Sequence, residues 1–536
     1  MRTISMPPRK VRKAHDRMST MIVVLQLERI GDLVQSLDAL RLLAAHRRPV
    51  LLVVREEIAE WAKPLLPEGV ELRSPERSAL AELSEAMARS DDAQAMSCAR
   101  EVVAGLEIGG GAQWINFTWH RLGAWLARAS RAEQMMGSYL SDQGEHLIRG
   151  WWALYPLAAV DALPGGRVQM NDVRRWMVGE ALGLAAAQCV RPCLPEIAKR
   201  SEKRGVVVMV GAGSPARILP ADRLAGIVRS ARERGEAVDL VGGEAERSFA
   251  QEVMHRAGVE VGNLVGETDP PSVIERMKEA RVVIGADTGL VHLAAHLGTR
   301  VVMWMSGRAH VWETGPMGAG HIVIQGLPSG ASETSMLDES ALIEGLSSAL
   351  NAEARGTEPV LADTSRCGGR WRDLDFYASE LADDEIGGTV FRKLDRSGRD
   401  QEALATRKTL ARFMRLNPDA ERPSSAVEDL LSVRQAVRMA ASLRSELGRG
   451  ASKTTAEGLN AFAALWKRIT QALHSRPETQ LLGAWIQVRE QHIERPEPAL
   501  VLDVYHEIAS RLESTLCRSE NPVESLRGQE SLREPV

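Results

Sequence analysis

Short apolar runs alternate with amphipathic segments along the first part of the chain. Residues 21–25, 50–54 and 113–118 are apolar runs bounded by polar turns, and each predicts a buried strand. Between the first two runs, leucines recur at helical spacing over residues 33–43. This order predicts a βαβ unit, in which ligands bind beyond the carboxyl ends of the strands.

The same alternation is repeated after residue 205. Apolar runs at 206–210, 237–241, 282–284 and 301–305 predict four more buried strands, and helical patterns separate them. A regular succession of strand and helix predicts a doubly wound parallel sheet. We therefore expect two α/β units in tandem.

Beyond residue 378 the strand signals almost vanish. Apolar residues recur there at helical spacing, as in Ala461, Leu465 and Ile469. This pattern predicts an all-helical appendage that follows the two α/β units. The chain is predicted to comprise a disordered basic leader (1–20), a first α/β domain (21–195), a second α/β domain (196–355), a linker (356–375), a helical accessory domain (376–518) and a disordered tail (519–536).

Composition narrows the class of protein. A chain of 536 residues needs two or three domains, and its formal net charge of −4 gives no field that favours nucleic acid. Five scattered cysteines complete no zinc motif, which favours reduced thiols in the cytoplasm. No apolar stretch approaches the roughly 20 residues of a membrane span, so we expect at most peripheral membrane contact through the basic leader.

The most informative turn lies between residues 285 and 292, with the sequence GADTGLVH. A strand, a glycine turn and a helix in succession direct backbone N–H groups and the positive end of a helix dipole at one point, which suits a phosphate. Asp287, Thr288 and His292 add an acceptor, a hydroxyl and an imidazole. Judged alone, Asp287 and Thr288 equally suit helix capping, and His292 equally suits a structural role.

A second turn follows the first predicted strand. Gly31 permits a tight turn there, and Asp32 lies at the junction between turn and helix. The carboxyl end of a first strand is a common position for catalytic groups, so Asp32 is a candidate. Taken by itself, Asp32 is also a typical N-cap residue.

The loop after the strand at 206–210 can approach a phosphate closely. Gly211 and Gly213 leave room for a ligand beside the backbone, Ser214 adds a hydroxyl, and Arg217 supplies a cation. The residues from 211 to 216 also match the dinucleotide pattern G-x-G-x-x-A, which favours an NAD(P)-binding oxidoreductase as the alternative. Prolines at 215 and 220 delay the helix that this pattern requires.

Other turns offer further candidates for binding a nucleotide. Ser306 and Gly307 follow the last predicted strand and provide additional N–H donors. Glu244 and Glu246 follow the strand at 237–241, where ribose hydroxyls are often bound. The D-x-D triplet at 373–375 lies in the predicted linker, so we interpret it as a chance match to a metal motif.

Four of these motifs together resemble glycosyltransferase family 9, the heptosyltransferases. They are Ile30-Gly31-Asp32, the loop 211–220 with its Arg-x-Leu-Pro ending, the GGEAE segment at 242–246, and the DTGLVH segment at 287–292. The resemblance covers residues 21–350 and implies a GT-B fold, with two Rossmann-like domains facing across a cleft and the donor nucleotide in the second. It implies inverting transfer from ADP-heptose, commonly to the lipopolysaccharide inner core, with neither metal nor further cofactor required.

The resemblance also implies roles for single residues. Asp32 would be the general base for the acceptor hydroxyl, and Arg217 stands where the family usually has a lysine that holds the diphosphate. The residues implied to bind the phosphates and sugar of the donor are Gly31, Asp287, Thr288, Gly289 and His292. Glu246 would lie near the ribose, with Glu244 as the alternative register, and Glu28-Arg29 replaces a small polar residue on the acceptor side.

The helical appendage is not part of the common family pattern. The acceptor is therefore open between the lipopolysaccharide core, another lipid-linked glycan and a protein, and the appendage is a candidate surface for oligomer formation. The expected location is the cytoplasm, and the inner face of the inner membrane is a candidate site of peripheral contact. A scaffold derived from a glycosyltransferase, without activity, is the remaining alternative.

Overall fold

The structure is a computed structural model of the chain. It describes residues 21–161, 167–190, 203–306, 309–326, 337–362, 374–384, 386–394, 401–414, 427–449, 453–474, 477–492 and 498–516. The predicted leader, the predicted tail, Gly307 and Asp373 lie outside these residues. Within the described part of the chain, no helix is both long and apolar enough to cross a membrane.

The first lobe is built on a six-stranded sheet. Its strands are β1 (Ile22–Leu25), β2 (Val50–Val53), β3 (Val70–Arg73), β4 (Gln113–Asn116), β5 (Met135–Leu140) and β6 (His146–Arg149). They lie in the order β3-β2-β1-β4-β5-β6, and β6 runs antiparallel to β5. The strand order reverses between β1 and β4, which opens a crevice at the carboxyl ends of these strands.

Helices cover both faces of this sheet. They are α1 (Ile30–Val34), α2 (Leu37–Ala45), α3 (Glu56–Ala62), α4 (Arg77–Ala88), α5 (Asp92–Gly105), α6 (Arg121–Ala129), α7 (Trp151–Asp161), α8 (Met170–Leu182) and α9 (Ala186–Cys189). The sequence pattern predicted none of the strands β3, β5 and β6. Strand β3 lies at the sheet edge and is partly exposed, so it lacks the continuous apolar run of a buried strand.

The second lobe has a sheet with the same order at its centre. Its strands are β7 (Val206–Met209), β8 (Val238–Val241), β9 (Gly262–Asn263), β10 (Val282–Ala286), β11 (Arg300–Met305), β12 (Ile322–Gly326), β13 (Leu374–Leu381) and β14 (Thr389–Lys393). They lie in the order β14-β13-β12-β11-β10-β7-β8-β9 and are parallel from β9 to β12. Its helices are α10 (Ala221–Glu233), α11 (Arg247–Ala257), α12 (Pro270–Glu279), α13 (Gly289–His296), α14 (Val311–Thr314) and α15 (Glu339–Arg355). The predicted fold, with two Rossmann-like α/β lobes, is confirmed.

The prediction that the chain is all-helical from residue 376 is wrong at its beginning. Strands β13 and β14 form an antiparallel hairpin that extends the second sheet through β12. The Asp375 carboxylate of the D-x-D triplet accepts a hydrogen bond from Lys393 Nζ at 2.7 Å on the neighbouring strand. The hairpin escaped prediction because polar residues interrupt the apolar positions of both strands, as Asp375 and Ser379 do in β13, so neither strand has a continuous apolar run in the sequence.

The helical region consists of five described helices. They are α16 (Gln401–Phe413), α17 (Val427–Arg449), α18 (Lys453–His474), α19 (Pro477–Gln491) and α20 (Pro498–Leu516). Of these, α19 packs against α7 of the first lobe. Trp485 of α19 contacts Trp152 and Tyr155 of α7 edge-on, with ring centroids 5.6 and 5.5 Å apart. Its indole N–H donates to the carbonyl of Trp151 at 2.9 Å. The helices therefore share a hydrophobic core with the first lobe.

A buried arginine of α16 links this helical region to both lobes. Arg407 donates to both carboxylate oxygens of Asp384, at 2.6 and 2.9 Å, in the turn of the β13–β14 hairpin. It also donates to the carbonyl oxygens of Gly387 at 2.7 Å and of Arg167 at 3.0 Å. Because Arg167 precedes α8 of the first lobe, a single side chain joins the second sheet, the first lobe and the helices.

Candidate active site

The two lobes are in close contact at a pair of glycines. A Cβ atom placed on Gly289 would lie 2.7 Å from the backbone nitrogen of Gly31, and one placed on Gly31 would lie 3.3 Å from Cα of Gly289. Side chains at these positions would separate α1 from α13. Beside the contact lies a cleft of about 380 Å³, a volume typical of sites for small ligands.

The cleft brings together most of the residues predicted to form the site. Those that line it are Gly31, Asp32, Gly211, Gly213, Arg217, Glu246, Asp287, Thr288, Gly289 and His292. Ser214 and Ser306 are described but do not line the cleft, and Gly307 lies outside the described residues. The two loops that follow β7 and β10 supply most of the lining on the second lobe, at the point where its strand order reverses.

The donor side is organised around Asp287. Its carbonyl oxygen accepts from Arg217 Nη1 at 2.9 Å, and its carboxylate lies 3.7 Å from the same nitrogen. The other carboxylate oxygen accepts from Nε2 of His292 at 2.8 Å. Asp287 is itself fixed at the end of β10, because its N–H donates to the carbonyl of Trp304 at 3.0 Å. Asp287 thus orients a cation and an imidazole towards the cleft.

Thr288 presents an unsatisfied hydroxyl at the same place. It is the N-cap residue of α13, yet its side chain makes no capping hydrogen bond, which argues against the capping interpretation. Its Oγ1 atom is buried and has no hydrogen-bond partner among the described residues. A buried hydroxyl without a partner is costly, and here it lies beside the N–H groups that open α13. The arrangement suits an anionic ligand.

The structure distinguishes the two glutamates that were candidates for the ribose. The Glu246 carboxylate lines the cleft, and Oε2 accepts from the backbone N–H of Gly243 at 2.8 Å. A Cβ on Gly211 would lie 2.9 Å from Cδ of Glu246, so the glycine leaves room for this carboxylate. Glu244 is 72% exposed and pairs with Arg247 at 2.7 Å. Only Glu246 is in position to contact a ligand in the cleft.

On the acceptor side, a residue that the sequence analysis missed holds Asp32. Arg174 of α8 donates to Oδ1 of Asp32 at 2.9 Å and to its carbonyl oxygen at 2.6 Å. The Arg174 side chain is fully buried, whereas 34% of the Asp32 side chain is exposed to the cleft. The carboxylate is therefore fixed in orientation while one face remains accessible. In the sequence, Arg174 is one of two adjacent arginines, a pattern that is typical of the solvent-exposed face of a helix.

Glu28 and Arg29, which replace a small polar residue of the family pattern, have different environments. The Glu28 carboxylate accepts from the backbone N–H of Trp119 at 2.9 Å and lies 3.0 Å from Nε2 of His120. It therefore anchors the loop that follows β4. Arg29, by contrast, lines the cleft.

The loop after β7 does not have the geometry of a dinucleotide fingerprint. A short 3₁₀ turn follows it at Pro215–Arg217, and α10 begins only at Ala221. A dinucleotide site needs its helix to begin inside the motif, so that the pyrophosphate meets the helix N-terminus. The loop geometry therefore argues against the NAD(P)-binding alternative. In the part of the chain that is described, no three His, Cys, Asp or Glu side chains cluster as metal ligands would.

Comparison with known proteins finds a family model that matches a span covering most of the second lobe's central sheet. Residues 182–333 match the sequence model of glycosyltransferase family 9 (heptosyltransferase). This span contains the loops after β7 and β10 that line the cleft. The match confirms the resemblance predicted from the motifs and supports a glycosyltransferase. No curated protein sequence matches the chain.

Several solved structures are similar to this chain at low identity. The glycosyltransferase family 9 protein from Veillonella parvula DSM 2008 is 16% identical, with 62% of this chain and 98% of that chain covered and a TM-score of 0.48. The E. coli ADP-heptose lps heptosyltransferase II is 15% identical, with coverages of 62% and 99% and a TM-score of 0.45. The E. coli heptosyltransferase WaaC with ADP is 16% identical, with coverages of 62% and 100% and a TM-score of 0.45.

Proposed function

We propose, with the match to glycosyltransferase family 9 as the premise, that this chain is an inverting sugar transferase. Its donor is ADP-heptose or a similar nucleotide sugar, and its acceptor is the lipopolysaccharide core, another glycan or a protein. One observation carries the proposal: the cleft has a fixed carboxylate, Asp32, on one lobe and a cation, Arg217, beside a helix N-terminus on the other. A displacement reaction needs these two charges on opposite sides of the reacting carbon.

The acceptor half of the reaction depends on Asp32. Its carboxylate takes the proton of the acceptor hydroxyl as the hydroxyl oxygen forms a bond to the anomeric carbon. The bond between that carbon and the diphosphate oxygen breaks in the same step, and the electron pair leaves with the nucleoside diphosphate. Attack from the face opposite the leaving group inverts the anomeric configuration. Arg174 acts through Asp32, because it holds the carboxylate in one orientation.

The second lobe stabilises the departing diphosphate. Arg217 provides a fixed positive charge, and the opening turn of α13 provides N–H groups with the positive end of the helix dipole. The buried Thr288 hydroxyl gains a partner when a phosphate oxygen occupies the cleft. These groups are in place before the reaction, so little reorganisation is needed as charge develops. The proposal requires no cofactor other than the donor.

Replacement of Asp32 by Asn tests the mechanism. The variant keeps the shape of the side chain but cannot accept the proton, so we expect turnover to fall by about 10²- to 10⁴-fold. Nucleotide affinity should stay nearly unchanged, because Asp32 lies on the acceptor side. Turnover is measured by nucleoside diphosphate release, and affinity by calorimetric titration with ADP.

The matched control is Asp92→Asn, which removes a carboxylate from an exposed position in α5 of the same lobe. It should retain full turnover. Full activity of Asp32→Asn would refute the assignment of the base. The acceptor is sought by mass spectrometry of glycan, lipid and protein fractions from cells with and without the gene, as a mass difference of one heptose.

A further inference from the structure

We infer that Arg29 of the first lobe is a second cation for the donor diphosphate, acting across the cleft from Arg217. The inference rests on the proposed function, since it requires a sugar nucleotide in the cleft. It changes the role expected for Arg29, which the family resemblance had associated with the acceptor side.

The positions of the two guanidinium groups carry the inference. Arg29 is exposed, lines the cleft and precedes α1 in an extended conformation, with φ −79° and ψ 170°. A Cβ atom placed on Gly213 would lie 3.7 Å from Nη1 of Arg29 and 3.2 Å from Nη2 of Arg217. Both distances are measured from the same position, the Cβ atom placed on Gly213. The two cations therefore share one corner of the cleft although they belong to different lobes.

Within the described residues, nothing neutralises this corner from the side of Arg29. The Arg29 side chain makes no hydrogen bond or ion pair with another described residue, and the carboxylate of its neighbour Glu28 is bound to the loop after β4. The carboxylate of Asp32 is held by Arg174. Arg217 already has the Asp287 carboxylate at 3.7 Å, so Arg29 is the cation of this corner that lacks a counter-ion among the described residues, and a bound anion supplies one.

The chemistry of the corner selects a diphosphate. A pyrophosphate group carries several oxygens and more than one negative charge, so it can contact both guanidinium groups at once. Arginine is suited to this task because its planar fork forms two parallel hydrogen bonds with phosphate oxygens. Gly213 has no side chain, which leaves the space between the two cations open. The diphosphate of the donor is therefore bound by positive charges from both lobes.

The test is calorimetric titration of the full chain with ADP, with UDP in parallel to cover a different base, and with adenosine and uridine as ligands without phosphate. Arg29→Ala should weaken nucleoside diphosphate binding at least tenfold, as expected for the loss of a charge-assisted hydrogen bond. Affinity for the matching nucleoside should not change. Arg29→Lys should recover part of the affinity, since it restores the charge without the fork.

Arg89→Ala is the matched control, because it removes an exposed arginine of the first lobe that does not line the cleft. Its diphosphate affinity should equal that of the unmodified chain. If Arg217→Ala weakens ADP or UDP binding and Arg29→Ala does not, the inference about Arg29 is overturned and the proposed function stands. An equal loss of nucleoside and diphosphate binding in Arg29→Ala also overturns it. Absence of diphosphate binding in the unmodified chain overturns both.

Discussion

Two adjacent arginines of α8 have separate functions in this molecule. Arg174 reaches Asp32 at the cleft, whereas Arg175 is buried against Asp38 at 2.7 Å and Asp172 at 2.6 Å. Arg175 connects α2 with α8 and supports the lobe. Arg174 supports the candidate base and does not itself line the cleft. Arg174 is therefore a positioning residue.

The variant Arg174→Lys tests whether Arg174 positions the carboxylate of Asp32. Lysine keeps the positive charge but cannot hold the carboxylate and the carbonyl oxygen of Asp32 with one planar group, so the base loses its fixed orientation. We expect kcat to fall about tenfold or more, because small misplacements of a catalytic group are costly. ADP affinity should remain within about twofold. Steady-state kinetics and calorimetry check both values, and an unchanged kcat would contradict the positioning role.

Among single residues, those that stand in a short motif could be predicted from the sequence. Residues whose role depends on a buried contact in the folded chain could not. Asp32, Arg217, Thr288 and His292 stand in short motifs beside glycines, and all of them line the cleft. Arg174 stands in no motif, and its distance of 142 positions from Asp32 hides the contact. Its importance becomes visible only when the fold buries it.

Among the elements, α19 shows that the helical region is not a unit separate from the first lobe. Its Trp485 is completely buried and contacts three aromatic rings, those of Trp152, Tyr155 and Phe413. Two of these rings belong to α7 of the first lobe. The helices consequently complete the core of the lobe that carries Asp32.

Trp485→Ala tests this shared core. Removing a buried tryptophan leaves a cavity and should lower the free energy of unfolding by about 3–5 kcal/mol. Urea unfolding followed by circular dichroism measures the change. Trp61→Ala serves as control, because Trp61 of α3 is only partly buried and should cost less. A first lobe that unfolds at the same urea concentration in Trp485→Ala and in the unmodified chain would contradict a common core.

The strands that the sequence predicted are buried along most of their length, but burial alone is not sufficient, since β12 is buried at every position and was not predicted. Strands β1, β10 and β11 are buried at every position and read as apolar runs. Strands β3 and β9 lie at sheet edges, where one side is exposed and no apolar run is needed. The β13–β14 hairpin joins the sheet by pairing with β12, which lies far away in the chain, and a local pattern does not record such pairing.

On the scale of the whole molecule, two buried histidines make stability depend on pH. Burial, aided by the nearby Arg41 guanidinium, lowers the pKa of His296 to about 3. Burial and the Arg300 guanidinium lower the pKa of His321 to about 3. Both rings are neutral in the folded state: His296 Nε2 accepts from Arg41 at 2.6 Å, and His321 Nδ1 accepts from the N–H of Val301 at 3.2 Å.

The folded chain therefore binds fewer protons at these sites than the unfolded chain between pH 6.5 and 3. Their contribution to stability is complete above pH 6.5 and is lost as the pH falls, at up to about 1.4 kcal/mol per pH unit for each ring. Glu313 opposes this trend, since burial raises its pKa to about 7 and its contribution decreases as the pH rises from 4.5 to 7. Burial also lowers the pKa of His492 to about 4 and lowers that of His146, while it raises the pKa values of Glu180 and Asp172. Because the histidines outnumber the opposing carboxylates, we expect stability to fall between pH 6.5 and 5.

His321→Gln isolates one of these contributions. We expect the variant to be less stable than the unmodified chain at neutral pH, because the ring's hydrogen bonds to Val301 and Met317 are lost. We also expect its free energy of unfolding to depend less steeply on pH. Urea unfolding at several pH values between 5 and 7.5 gives both slopes. Equal slopes for the variant and the unmodified chain would contradict the assignment of a neutral buried ring.

The shared aromatic core has a consequence for synthesis of the chain on the ribosome. Trp151 and Trp485 are 334 positions apart, so the partner of α7 is translated long after α7 itself. At roughly 5–20 residues per second, the interval is on the order of tens of seconds. During that time the nascent first lobe carries an uncovered face of tryptophan and tyrosine rings, which is a surface that chaperones bind. The lobe that begins the chain is thus among the last parts of the molecule to reach its final packing.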